Sequence, residues 1–266
     1  MKTNKIFIIC GKELLSFSRD RRTLRALMLF PILVIPGIVY MFSLVLKNPK
    51  LASMLVSGLF QCLPIFFLTL IGYIAFDITA GEKERGNMET TLSLFATRKE
   101  LVLGKYCAVV AANLIIAVVV FCFVLISYLS ARLMSSSATL SSYSSFDLKP
   151  FISYMVAVLC FATFYPALLI LIGFFARSTK EAFSYLGPIM IFNIMFSIAQ
   201  LYGVHLTLLT VLIPGLNCYL LVQQFLNYSV DWIYWAILFS TAIVYGFACI
   251  KGAMCLMERD TILNRT

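Results

Sequence analysis

The chain has 266 residues, of which 61% are hydrophobic and only 12% are charged, with a mean hydropathy of +0.95 and a net charge of +9. A soluble globular protein of this length needs charged side chains along its whole sequence to cover its surface, whereas the charges here fall in clusters. The composition therefore excludes a soluble globular protein and indicates an integral membrane protein that is solvated by lipid.

Residues 1–25 carry many basic residues and are predicted to form a cytoplasmic helix that lies along the inner leaflet of the membrane. Lys5, Lys12 and Arg19 are spaced seven residues apart, which places them on one face of a helix. A separate face is apolar and consists of Ile6, Ile9, Cys10, Leu14 and Phe17. This pattern is typical of an amphipathic interfacial helix, and a polybasic anchor that contacts no other part of the protein is the alternative.

Six uncharged runs follow within residues 26–252, and each is long enough to supply the roughly 20 apolar residues of a membrane-spanning helix. The runs are Ala26 to Leu46, Leu51 to Phe76, Tyr106 to Ala131, Pro150 to Ala176, Ala182 to Val230 and Trp232 to Ile250. We therefore predict an all-α integral membrane protein with six transmembrane helices that form one domain.

The distribution of lysine and arginine predicts the orientation, because these residues concentrate on the cytoplasmic side of membrane proteins. Basic clusters precede the first run, follow the second and fourth runs, and follow the last. We expect a protein of the cell membrane with both termini in the cytoplasm and with residues 253–266 as a cytoplasmic tail. Most of the 21 basic residues then lie inside, so the net charge reflects topology rather than nucleic-acid binding.

The fifth run is too long for one ordinary span, although two cytoplasmic termini allow it only one crossing. Its second part, residues 204–230, contains polar and helix-breaking residues, namely His205, Pro214, Gly215, Asn217, Gln223, Gln224 and Asn227. These residues fit a re-entrant segment that enters from the outer surface without crossing, since irregular backbone at that depth needs protein or water to satisfy it. An outer segment that lies flat at the interface is the alternative.

The cytoplasmic loop after the second run, residues 78–105, is the most informative segment of the sequence. Gly81 and Gly86 allow the chain to turn sharply as it leaves the membrane. If the segment is helical around Gly86, one face carries the charged side chains of Glu82, Arg85 and Glu89. Such a helix suits contact with a soluble partner, and a solvated loop without a partner is the alternative.

Residues that support catalysis or metal binding are scarce in this sequence. His205 is the single histidine, it belongs to no H-E-x-x-H motif, and the eight cysteines lack metal-ligand spacing. The chain also lacks a G-x-x-x-x-G-K-[ST] phosphate loop. We therefore expect no catalytic, cofactor or metal site, and an intramembrane enzyme is disfavoured because the spans lack paired ionisable groups.

The string from Gly81 to Thr90, followed by Arg98 to Leu101 and Leu103 to Lys105, resembles the intracellular loop of the ABC-2 type permeases. These proteins are the membrane subunits of exporters that a separate ATP-binding-cassette protein drives. Other parts of the chain are similar to the N-terminal elbow, the second cytoplasmic loop and the outer segment of the family, namely Lys12 to Arg22, Ala176 to Ala182 and Ile213 to Asn217.

The nearest likeness within the family is to the sodium-efflux permease branch. The C-terminal helix of that branch runs into a short charged tail that is similar to Glu258-Arg259-Asp260. The branch usually carries a sizeable outer domain between its first two spans, where this chain has only Lys47 to Lys50.

The resemblance implies that two permeases, identical or related, enclose a translocation path and that two ABC ATP-binding subunits dock beneath them and bind the ATP. It also implies that Glu82, Arg85 and Glu89 contact the ATPase, that Gly86 sets the turn, and that a second cytoplasmic contact is made by Arg177, Lys180 and Glu181. A membrane scaffold or immunity subunit that transports nothing is the alternative. The cargo is not identified by any motif.

Overall fold

The computed structural model describes residues 2–20, 68–88, 97–134, 149–201, 207–217 and 232–258. Every regular element within these ranges is helical, which confirms the all-α prediction for this part of the chain. We number seven helices: α1 (Lys2–Arg19), α2 (68–84), α3 (Arg98–Met134), α4 (Lys149–Phe175), α5 (Thr179–Leu201), α6 (Leu208–Leu212) and α7 (Trp232–Glu258). The predicted first span, Glu89 and the end of the tail from residue 259 lie outside the described residues.

Four of these helices are long enough to cross a bilayer, with 37 residues in α3, 27 in α4, 23 in α5 and 27 in α7. Within the described residues, the stretches Arg98–Val119 and Trp232–Glu258 combine that length with a sufficiently apolar composition. In α7 the exposed Trp232 and the exposed Lys251 lie 19 residues apart, which is about 28 Å along a helix and matches the thickness of the hydrocarbon core. The count of six spans stays a prediction.

The centre of the described helices is formed where α3, α4 and α7 pack together. The hydroxyl group of Tyr106 in α3 donates a hydrogen bond to the carbonyl oxygen of Thr163 in α4 at 3.0 Å. Gly246 of α7 faces the same carbonyl group, and a Cβ atom at this glycine would lie 3.5 Å from it. Large apolar side chains on the outer sides of α5 and α7 remain exposed, among them Ile191, Phe192, Met195, Ile243, Val244 and Phe247.

Helix α1 packs against α3 with the apolar face that the sequence predicts. Ile9, Leu14 and Phe17 lie against the hydrophobic core, whereas Phe7, Ile8 and Leu15 are exposed. The close approach takes place at Gly104 of α3, where an added Cβ atom would lie 2.7 Å from Cγ2 of Ile9. Helix α1 is therefore attached to the body of the protein, unlike a polybasic anchor without contacts.

The segment 207–217 folds against α7 and α4. Thr207 begins α6 with a capping box, in which its side chain accepts from the backbone N–H of Thr210. Gly215 turns the chain with a φ of 95°, a conformation that favours glycine, and the following Asn217 donates from Nδ2 to Oγ1 of Thr241 at 3.2 Å. Asn217 is buried, and Thr241 lies near the midpoint between Trp232 and Lys251.

Candidate coupling site

The predicted coupling loop begins while the chain is still helical. Helix α2 changes from α-helical to π-helical geometry at Asp77–Gly81 and ends with an α-helical turn at Glu82–Glu84. Single π-helical turns are rare and occur frequently at functional sites. The prediction that Gly81 turns the chain is wrong, because its φ of −67° is helical. A Cβ atom there would lie 3.2 Å from Oδ1 of Asp77, so the glycine serves close packing.

The turn comes instead at Arg85 and Gly86. Gly86 has a φ of 70°, in the left-handed region that costs glycine little and other residues more. A continuous helix through Gly86, with Glu82 and Arg85 on one exposed face, is therefore not formed. Glu89, the third residue expected on that face, lies outside the described residues.

Glu82 belongs to a buried ion-pair cluster that we define as Lys12, Glu13, Glu82 and Lys105. The ammonium group of Lys105 lies 2.6 Å from Oε2 of Glu82 and 3.4 Å from Oε1 of Glu13, and its side chain is 0% exposed. On the solvent side, Lys12 lies 3.4 Å from Oε1 of Glu82 and 3.5 Å from Oε1 of Glu13. The cluster joins α1, α2 and α3, and its four charges cancel.

The cluster favours the charged forms of Glu82 and Lys12. Burial alone would raise the pKa of the Glu82 carboxyl group, but the ammonium groups of Lys105 and Lys12 outweigh it and hold that pKa below the ordinary value of 4.5. Burial likewise acts to lower the pKa of Lys12, and the carboxylates of Glu13 and Glu82 outweigh it and raise that pKa. Both residues are therefore charged at neutral pH.

The next residue, Lys83, binds the end of α4. Its Nζ atom donates to the carbonyl oxygens of Phe174 and Ala176, both at 2.9 Å. The last carbonyl groups of a helix lack partners within the helix and carry partial negative charge, so an ammonium group is a favourable cap. Burial lowers the pKa of Lys83, and the carboxylate of Glu181 acts against this.

Glu84 binds the start of α5. Its Oε2 atom accepts from the backbone N–H of Thr179 at 3.1 Å and from the hydroxyl group of the same residue at 3.0 Å. These two hydrogen bonds hold the pKa of Glu84 below its ordinary value of 4.5. A carboxylate at a helix N-terminus satisfies free N–H groups and complements the helix dipole.

The turn Glu82–Glu84 therefore binds four other helices, and we call it the junction. Glu82 binds α3 and α1, Lys83 binds α4, and Glu84 binds α5. The junction links the loop after α2 to the loop between α4 and α5 with short polar contacts. Among the described residues, no cluster of metal-ligating side chains accompanies it.

The other predicted site residues lie at the same end of the helices. Arg85 is exposed and forms an ion pair with Asp77. Arg177 and Lys180 are also exposed. Glu181 completes the start of α5, since its carboxylate accepts from the backbone N–H of Arg177 at 2.7 Å and its own N–H is bound by Ser178. Among these residues, Glu82 differs because its carboxylate is buried.

The end of α7 lies beside the start of α3. The guanidinium group of Arg98 donates to the carbonyl oxygen of Glu258 at 3.0 Å, and Nζ of Lys99 lies 3.7 Å from Oε1 of Glu258. Helix α1, the loops that follow α2 and α4, and the end of α7 thus share one end of the helix bundle. Sequence analysis did not identify Glu13, Lys83, Glu84 or Lys105 as site residues, although all four lie within the strings that resemble the family.

A comparison with protein families identifies the family of this chain, whereas a comparison with curated proteins gave no significant match. Residues 7–248 match the family described as ABC-2 family transporter protein, which covers most of the chain. The match does not separate the branches of the family, so the likeness to the sodium-efflux permeases stays a prediction. The chain belongs to the ABC-2 family transporter proteins and is the kind of helical subunit that forms the membrane component of an ABC transporter rather than its ATP-hydrolysing enzyme.

Proposed function

We propose that this chain is the permease subunit of an ATP-driven exporter in the cell membrane and that a separate ATP-binding subunit drives it through the segment that follows α2. The observation that carries the proposal is the junction at Glu82–Glu84, three consecutive residues that each bind a different neighbouring element. Directly after it, Arg85 and Gly86 form an exposed turn. An exposed turn that directly follows the junction is suited to pass the movement of a bound partner on to the helices that the junction contacts.

The proposed coupling separates two roles within the segment. Arg85 and Glu89 contact the ATPase, with Arg177, Lys180 and Glu181 as a second contact on the neighbouring loop. Glu82 acts from inside, since its carboxylate is engaged by Lys105 and Lys12. When ATP binding draws the two ATPases together, the junction moves α3, α4 and α5 as a rigid unit.

Two permeases, either identical or related, enclose the translocation path. The end of the bundle that carries α1, the two loops and the end of α7 faces the cytoplasm, which agrees with its many basic residues. The segment 207–217 is re-entrant in this proposal, because Asn217 is bonded to Thr241 near the middle of α7 rather than beside Trp232. It closes the path from the outer side, and membrane lipid surrounds the exposed apolar faces of α5 and α7.

Purification in mild detergent followed by reconstitution tests this function. We expect a stoichiometric companion that bears a phosphate loop, and we expect the permease to stimulate its ATP hydrolysis in lipid vesicles. The variant Arg85→Glu should reduce this stimulation about tenfold, since a charged contact at the centre of an interface contributes about 1.4 kcal/mol or more. Glu89→Lys should uncouple ATP hydrolysis from transport, because it reverses the charge of the other proposed contact in this segment.

The variant Asp77→Asn is the matched control for Arg85→Glu. It removes the ion pair between Asp77 and Arg85 but keeps the arginine, so stimulation should stay within about twofold of the wild type if Arg85 acts through the partner. The absence of any ATP-binding companion would refute the exporter. Equal losses in Asp77→Asn and Arg85→Glu would refute the contact role of Arg85.

A further inference from the structure

We propose that Lys105 is a positioning residue whose buried ammonium group holds α1 and the junction of α2 together as one unit. The importance of this unit for transport rests on the proposed function, whereas the attachment of α1 does not. Lys105 lies in α3, seven residues after Arg98, which is about 10 Å along the helix from its start. It is the one lysine with a fully buried side chain among the described residues.

All three donors of the Lys105 ammonium group have acceptors. One acceptor is Oε1 of Glu13 in α1, the second is Oε2 of Glu82, and the third is the carbonyl oxygen of Ile78 in the π-helical turn. A lysine ammonium group has three N–H donors, so the group is fully satisfied. Since these acceptors belong to α1 and α2, the side chain joins both elements to α3.

The two carboxylates of the cluster depend on this lysine more than on Lys12. Glu13 and Glu82 are 4% and 8% exposed, whereas the side chain of Lys12 is 54% exposed and its place can be taken by water. Without Lys105, two buried carboxylates would share one exposed cation, and like charges in a buried site repel each other strongly. The repulsion acts directly between α1 and α2.

The backbone beside Lys105 is adapted to the same contact. At Gly104 an added Cβ atom would lie 2.8 Å from Cβ of Ile9 and 3.4 Å from the carbonyl oxygen of Ile6. The absence of a side chain at this position lets α1 approach α3 closely enough for Glu13 to reach Lys105. Packing at Gly104 and charge at Lys105 therefore serve one attachment.

Hydrogen exchange measured by mass spectrometry on the full chain in lipid nanodiscs tests the proposal. The variant Lys105→Met should raise the exchange rates of the amides of α1 at least about tenfold, because removing one partner of a buried ion pair leaves the other charge unpaired. The double variants Glu82→Gln/Lys105→Met and Glu13→Gln/Lys105→Met should return these rates to within about threefold of the wild type, because each retains one carboxylate and Lys12.

Lys99→Met is the matched control, since Lys99 lies on the same helix in an exposed ion pair with Glu258; it should leave α1 unchanged. A lysine that merely fills space would give similar exchange in the single and double variants, and that result would overturn the proposal. Wild-type protection of α1 in Lys105→Met would also overturn it. If Lys105→Met is not produced in folded form, the double variants must still fold, and their failure would overturn it as well.

This experiment is independent of the proposed function. Failure of the exporter proposal appears as the absence of an ATP-binding companion or of stimulated hydrolysis, and it leaves the exchange rates of α1 unaffected. Failure of the positioning role appears only in those exchange rates.

Discussion

Replacing Gly104 by alanine should weaken the attachment of α1 to α3. The new Cβ atom would lie 2.7 Å from Cγ2 of Ile9, and an ordinary contact of at least 3.4 Å requires α1 to move by about 0.7 Å. Ile9 cannot easily turn away, because a β-branched side chain has one strongly preferred rotamer in a helix. The same movement would stretch the ion pair between Lys105 and Glu13, now 3.4 Å long, beyond 4 Å.

Two opposing effects set the size of this change. Overpacking costs about 1–3 kcal/mol, whereas alanine in place of glycine favours a helix by about 0.5–1 kcal/mol. Because the clash involves the stiff side chain of Ile9, overpacking should prevail with a net loss of about 1–2 kcal/mol. For a chain of this size the loss lowers the midpoint of thermal unfolding by about 2–8 °C.

The assay is the midpoint of thermal unfolding in detergent, compared with that of Gly11→Ala. Gly11 lies within α1, and an added Cβ atom there meets nothing within 4 Å, so this control variant should be neutral or slightly more stable than the wild type. Adding Ile9→Ala to Gly104→Ala should give a smaller loss than the sum of the two single variants. The reasoning is refuted if Gly104→Ala raises the midpoint as Gly11→Ala does.

Two further predictions concern the junction and its turn. Gly86→Ala should lower the unfolding midpoint by about 2–4 °C, because a φ of 70° costs alanine about 1 kcal/mol, and Gly86→Asn should lower it less; equal midpoints for both variants and the wild type would contradict this. Since the pKa of Glu84 is held below 4.5, its contribution to the start of α5 should be complete above that pH and be lost as the pH falls through the lower value. Hydrogen exchange in the first turn of α5, corrected for its intrinsic pH dependence, should show this loss as the pH falls below 4.5 in the wild type but not in Glu84→Gln, and identical profiles would exclude the role.

The helices and the position of the junction could be predicted because their signals are local. Uncharged runs mark α3, α4 and α7, and the charges that follow the second run mark the junction. The apolar face of α1 was also predictable from helical spacing, and it does pack inward. These features depend on the neighbours of each residue along the chain.

The contacts within the site could not be predicted because they join distant parts of the chain. Lys105 pairs with Glu13, 92 residues away, and Lys83 binds the carbonyl oxygen of Phe174, 91 residues later, near the end of α4. The prediction of a turn at Gly81 rests on the positive φ that glycine permits. Glycine also permits close packing, and only the neighbouring side chains show which of the two applies. The burial of Glu82 could not be predicted either, because the lysines that bind it belong to other helices.

The division between inward and outward residues around the junction has a consequence for how such permeases diversify. Residues 82–84 form ion pairs and hydrogen bonds within the protein, so a substitution at any of them changes the contacts between α2 and the neighbouring helices. The side chains of Arg85, Arg177 and Lys180 are exposed instead. Under the proposed coupling, a different ATP-binding partner can therefore be accommodated by substitutions at the exposed residues alone, while the contacts of residues 82–84 with the other helices stay unchanged.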